Sequence, residues 1–125
     1  VRARRLLLCF VVALAACGGG GGDAVAKARR VLDDDGRFAT AYDSGDALAK
    51  IGSTLLRAGK RCDGGGCPAL LSASAYAQVL AVRVLDCTAP GRERIRGAMR
   101  AELDAIDELA PKAPAPTPPP IPSCG

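Results

Sequence analysis

The scarcity of aromatic side chains sets the first limit on this chain. Aromatics are only 3% of its 125 residues and Trp is absent, whereas hydrophobic residues reach 49%. A core can form, but it has to be built from Leu, Val, Ile and Ala. That composition favours close-packed helices, because Ala has the best helix propensity while strands draw on β-branched and aromatic residues. A chain of this length supports one domain. It contains no His, which removes the usual general base and the commonest metal ligand.

The N-terminal stretch reads as an address. Basic residues from Arg2 to Arg5 precede an apolar run from Leu6 to Ala16. About 11 apolar residues are too few for a helix that spans a bilayer, which needs roughly 20. The length suits the hydrophobic region of a signal peptide. The run closes on Leu14-Ala15-Ala16-Cys17. This tetrad resembles the lipobox of bacterial lipoproteins: a branched apolar residue, two small residues, then Cys. The resemblance covers about 17 residues and implies that Cys17 receives diacylglycerol and further acyl chains such as palmitate. It also implies that residues 1–16 are cleaved off. The protein would then be held at the extracytoplasmic face of a cell membrane. Two chains matter, since one binds a bilayer only marginally. In lipoproteins of two-membrane bacteria an Asp after the lipidated Cys signals inner-membrane retention; here Gly18 holds that place. Residues 17–23 are expected to be a glycine-rich tether with a reach of roughly 13 Å.

Punctuation divides the rest. Val25, Ala28 and Leu32 predict a helix over 24–34, with Gly36 as its stop. Leu48, Ile51 and Leu55 predict a second over 40–59, ended by Gly59, and Ser44-Gly45 could break its first turn. Pro68 opens a third over 68–86. Apolar residues nearly encircle it, so it is expected to be the buried centre. Ile95, Met99, Leu103 and Ile106 give a fourth over 91–109 one apolar stripe. Tyr42 and Tyr76 fit core or rim positions. Residues 111–125 are too rich in proline for helix and favour a polyproline II extension, either a linker or an SH3-type ligand. The expected fold is all-α: a small four-helix bundle over 24–110, with disulfides and an extended proline-rich C-terminal tail tied back by Cys124.

Cys9 leaves with the signal and Cys17 carries lipid, so Cys62, Cys67, Cys87 and Cys124 remain for an oxidising compartment. A single helix over 68–86 separates its ends by about 28 Å, whereas a disulfide needs Cα atoms within about 7 Å. Cys62 should therefore pair with Cys67, and Cys87 with Cys124. The proline-rich tail, at about 40 Å in polyproline II form, is long enough to run back beside the fourth helix. Cys62-Asp63-Gly64-Gly65-Gly66-Cys67 could instead be a redox or metal site. The spacer is too long for a typical catalytic dithiol, however, and zinc would want a second close pair or His.

Without the three arginines of the signal, the net charge falls from +4 to about +1, which is no nucleic-acid footprint. The fourth helix opposes its own dipole, with Arg92, Arg94, Arg96 and Arg100 ahead of Glu102, Asp104, Asp107 and Glu108. Either it presents a binding surface or the bundle compensates it. Compensation is favoured: Asp33, Asp34, Asp35 and Asp86 would face the arginines, and Lys60 and Arg61 would face the acids. Asp33-Asp34-Asp35-Gly36 fails as a calcium loop, because Val31 and Tyr42 stand where ligating acids are needed. No nucleophile motif or phosphate loop is present. The sequence thus points to a non-catalytic, membrane-anchored lipoprotein that needs no cofactor or metal and acts as a protein- or envelope-interaction module, an envelope protein being one candidate partner. The alternatives are a carrier of a small apolar ligand between the helices and, behind it, an enzyme.

Overall fold

The computed structural model describes residues 20–62, 67–110 and 112–125. The signal segment 1–16 and the lipidation position Cys17 lie outside them. Four helices follow one another: α1 (Gly20–Leu32), α2 (Ala41–Lys60), α3 (Pro68–Arg83) and α4 (Ala89–Asp107). No strand occurs among the described residues. The fold is an all-α four-helix bundle. Each helix packs on its chain neighbours, and α4 closes the ring against α1.

The helix starts follow local chemistry. The Thr40 hydroxyl accepts from the Asp43 N–H at 3.0 Å and caps α2. Thr88 caps α4 in the same way, accepting from the Gly91 N–H. Pro68 and Pro90 occupy first-turn positions, where a missing N–H has no helical acceptor to lose. Leu32, Leu48, Ile51, Leu80, Ile95 and Met99 are fully enclosed. Each such burial contributes about 1.5–3 kcal/mol relative to exposure.

Several boundaries differ from the sequence reading. α1 begins at Gly20, so half of the expected tether is helix. Glycine propensity opposes this. It is offset by Asp23, paired with Lys27 at 3.6 Å one turn on, and by the buried side chains of Ala24 and Val25. After α1 the chain turns through a 3-10 segment, Asp35–Phe38, which buries Phe38. Ser44-Gly45 does not break α2: the Ser44 hydroxyl donates to the Thr40 carbonyl at 2.7 Å and Gly45 is buried. α3 ends in a tighter turn, Val84–Asp86.

The expectation that α3 is buried on all sides is corrected. Val79, Val82 and Leu85 face outward, Val82 with 70% of its surface exposed. In a ring of four helices each member has two neighbours, so half of its circumference meets solvent. The stretch Pro68–Asp86 is long and apolar enough to cross a membrane, but half of it is buried within the bundle.

α2 and α3 approach through glycine. Gly45, Gly52 and Gly59, two helical turns apart, all face α3. A Cβ would lie 2.9 Å from Leu85 Cδ2 at the first, 2.5 Å from the Gln78 amide at the second and 2.8 Å from Leu71 Cδ2 at the third. Across this seam the buried Ser74 hydroxyl donates to the Gly52 carbonyl at 2.7 Å.

Candidate functional site

The four cysteines come together in two pairs at opposite ends of α3. Cys62 is bonded to Cys67 with Cα atoms 5.5 Å apart, and Cys87 to Cys124 at 4.3 Å. The first closes the turn between α2 and α3, and the Cys67 N–H donates to the Gly59 carbonyl at 2.9 Å. The second fastens the tail to the start of α4.

That helix start is where loose segments of the chain are collected. Arg92 donates to the carbonyls of Cys87 and Ala39, at 3.4 and 3.3 Å. Arg94 donates to the carbonyls of Ser123 and Gly125. Arg96, almost fully buried, donates to the Leu32 carbonyl at 2.6 Å and to Asp35 at 2.9 Å. Its guanidinium lies 4.7 Å from the centre of the Phe38 ring. Arg100 pairs with Asp33 at 2.8 Å. Arg96 and Arg100 are therefore compensated by acids just beyond α1, whereas Arg92 and Arg94 are met by backbone carbonyls. One expectation fails. The acidic end of α4 meets Arg29 of α1, through Asp104 at 2.7 Å and Asp107 at 3.3 Å. Asp34, expected to face the arginines of α4, pairs instead with Arg37 of its own turn at 3.3 Å, and Lys60, Arg61 and Asp86 form no ion pair among the described residues. The reason is placement: α2 lies diagonally across the bundle from α4.

The tail continues the structure beyond α4. Thr88 holds the Cys124 carbonyl twice, through its N–H at 3.0 Å and its hydroxyl at 3.1 Å. Gly91 makes this possible, because a Cβ there would lie 2.9 Å from Cys124 Cα and closer still to its carbonyl group. Ala113, Pro116, Pro119 and Pro122 are half-buried, whereas Pro114, Ala115, Thr117, Pro120 and Ile121 are exposed.

One buried acid escaped the sequence reading, and it lies beside Tyr76, which was expected at the core or its rim. Glu102 sits in the core of α4 with no exposed surface, and among the described residues neither carboxyl oxygen has a hydrogen-bond partner. Burial pushes its pKa above the ordinary glutamate range. The Tyr76 hydroxyl on α3 is also buried without a partner among the described residues; burial first, and the nearby Glu102 second, push its pKa up. The only hint in the sequence is that Glu102 stands beside Leu103 and three residues after Met99, at the flank of the apolar stripe. Tyr42, by contrast, stands in solvent.

Gln78, Val79, Val82 and Arg83 line an open, shallow depression on the outer side of α3. It is not an enclosed chamber between helices. Among the described residues no group of three or more His, Cys, Asp or Glu is placed to hold a metal ion. Comparison with family models, curated proteins and solved structures found no match.

Proposed function

We propose that the protein is a non-catalytic lipoprotein, held at the extracytoplasmic face of a cell membrane by lipid on Cys17, whose helical bundle works by binding another envelope protein. The observation that carries the reading is the ordered series of Arg2–Arg5, the apolar run Leu6–Ala16 and the tetrad ending at Cys17. The two disulfides support it, because such bonds persist in oxidising compartments.

The bundle adds polarity. Cys17 precedes the first described helical residue by three positions, so the anchor joins the chain at the start of α1. Arg29 pairs with Asp104 and Arg100 with Asp33, so α1 and α4 run antiparallel. The start of α1 then shares an end of the bundle with the end of α4 and the Cys62–Cys67 turn. Val82 at the end of α3, Leu85 in the turn after it and Tyr42 at the start of α2, the three most exposed large apolar residues, lie toward the other end, whereas Leu56, the least exposed, lies toward the anchor. Exposed apolar side chains gathered away from the anchor suit contact with a partner rather than with the protein's own bilayer.

Mass spectrometry of the mature protein tests the anchor: the expected N-terminal fragment begins at Cys17 and carries the mass of diacylglycerol. Cys17→Ser should move the protein from the membrane fraction to the soluble one. An unmodified Cys17 would refute the reading.

A further inference from the structure

The exposure of the tail repeats every three residues. Ala113, Pro116, Pro119 and Pro122 are the sheltered positions. Polyproline II has three residues per turn, so these four fall on one edge. That edge lies against the bundle. Of the other two edges, Pro114, Thr117 and Pro120 face out along one, and Ala115 and Ile121 face out along the other, where Pro118 is the exception. Pro118 is partly sheltered, whereas Ile121, a large aliphatic side chain, is left 48% exposed.

The strap is held at both ends. One end continues from α4; the other is fixed by the Cys87–Cys124 disulfide, by Thr88 and by Arg94. Between them, among the described residues, no protein donor reaches a backbone carbonyl of residues 114–122. From Ala113 onward there is no charged side chain. A mere fastening would need neither an outward aliphatic residue nor a row of free acceptors beside proline rings.

The geometry points to a docking function: Pro114–Ile121 is a pre-ordered polyproline II ligand for an envelope protein with an aromatic-lined groove. Rings of such a groove pack against Pro114, Pro120 and Ile121, and its Trp or Tyr side chains donate to the strap carbonyls. The fold has already ordered the segment, so binding does not have to supply that ordering. This inference rests on the protein-binding reading above and names its surface and partner class.

A photoreactive benzophenone amino acid at Ile121 of the full chain, in membranes of the native host, tests it. The expected result is a cross-link to one protein. That cross-link should fall at least fivefold with excess of the end-blocked peptide spanning Pro114–Pro122, and equally in the Pro120→Ala chain. Pro120→Ala faces outward, so its melting temperature should match that of the parent. No cross-link at Ile121, or one indifferent to the peptide, overturns the proposal. A cross-link formed from position 82 and absent from 121 also overturns the strap, while leaving a protein-binding bundle. The acyl mass on Cys17, read from the same sample, reports on the anchor separately.

Discussion

Two helix pairs in this bundle close by opposite means. α2 and α3 meet where side chains are missing, along Gly45, Gly52 and Gly59. α1 and α4 meet through long charged side chains, with Arg29, Arg96 and Arg100 reaching acids on or just beyond the facing helix. The first pair holds by close backbone approach and dispersion, which salt barely touches. The second is bridged at its rim by ion pairs, which salt screens. A chain poor in aromatics lacks large rigid groups to fill space between helices. It can draw the helices together, or span the gap with arginine, and this one does both.

The staples follow the same division. Cys62–Cys67 closes a sequence separation of only 5, whereas Cys87–Cys124 closes one of 37. Loop-closure entropy makes the longer bond worth about 4 kcal/mol and the shorter about 2 kcal/mol. Urea denaturation of the two double Cys→Ala variants should show that order. If the short bond proved the more costly to lose, the glycine seam would be the half that depends on its staple, and the comparison would reverse.

Gly59→Val attacks the seam directly. Its Cβ would meet Leu71 Cδ2 at 2.8 Å and Leu70 Cβ at 3.3 Å, and the branch has no room beyond them. A loss of about 2–3 kcal/mol is expected from overpacking, read as a shifted urea midpoint with an unchanged slope. An unchanged midpoint would mean that the two helices part at no cost.

In the charged half, Arg96→Ala should cost about 2 kcal/mol. It removes a charged donor from the Leu32 carbonyl and a cation from the Phe38 ring. Its ion pair with the exposed Asp35 adds little. Arg100→Ala, whose pair with Asp33 is solvent-exposed, should cost less than about 1 kcal/mol and nothing measurable in about 1 M salt. Equal losses would show that the arginines act as a field of charge rather than through particular bonds.

Where the sequence was legible, the reason is geometric. The rise of a helix over 68–86 left one pairing for four cysteines, and Pro68 marked the start of α3. The seam was hidden because a glycine in a helix reads as a weakness until its neighbour is known. Gly45 suggested a break and Gly59 a stop, and both are packing residues. α3 misled because an apolar circumference reads as complete burial, which four helices cannot provide. Glu102 was invisible because an acid among Asp104, Asp107 and Glu108 reads as part of a charged face.

Glu102 therefore gives the charged helix an exception inside the core. Its folded-state pKa is raised, so folding favours its protonated form. That contribution is complete below the ordinary glutamate value and is lost as pH rises through the raised one. The melting temperature should fall as pH rises above the ordinary glutamate range, and Glu102→Gln should remove most of that slope. A slope that survives in the variant would assign it to other groups.

The smallest effect separates the glycines from one another. At Gly52 the three atoms nearest a Cβ all belong to the Gln78 side chain. Gln78 is exposed and can swing away. At Gly45 the Ala81 carbonyl, part of the backbone, lies at 3.1 Å and can yield only if the helix shifts. Alanine also gains up to about 1 kcal/mol over glycine in a helix interior. Gly52→Ala should therefore leave stability unchanged or raise it by a few tenths to about 1 kcal/mol, whereas Gly45→Ala should lower it. If both variants gained stability, the close approach of α2 and α3 would be a consequence of glycine rather than a need for it. If both lost, the seam would be continuous through Gly52, and Gln78 would be fixed in place by the bond network around Ser74.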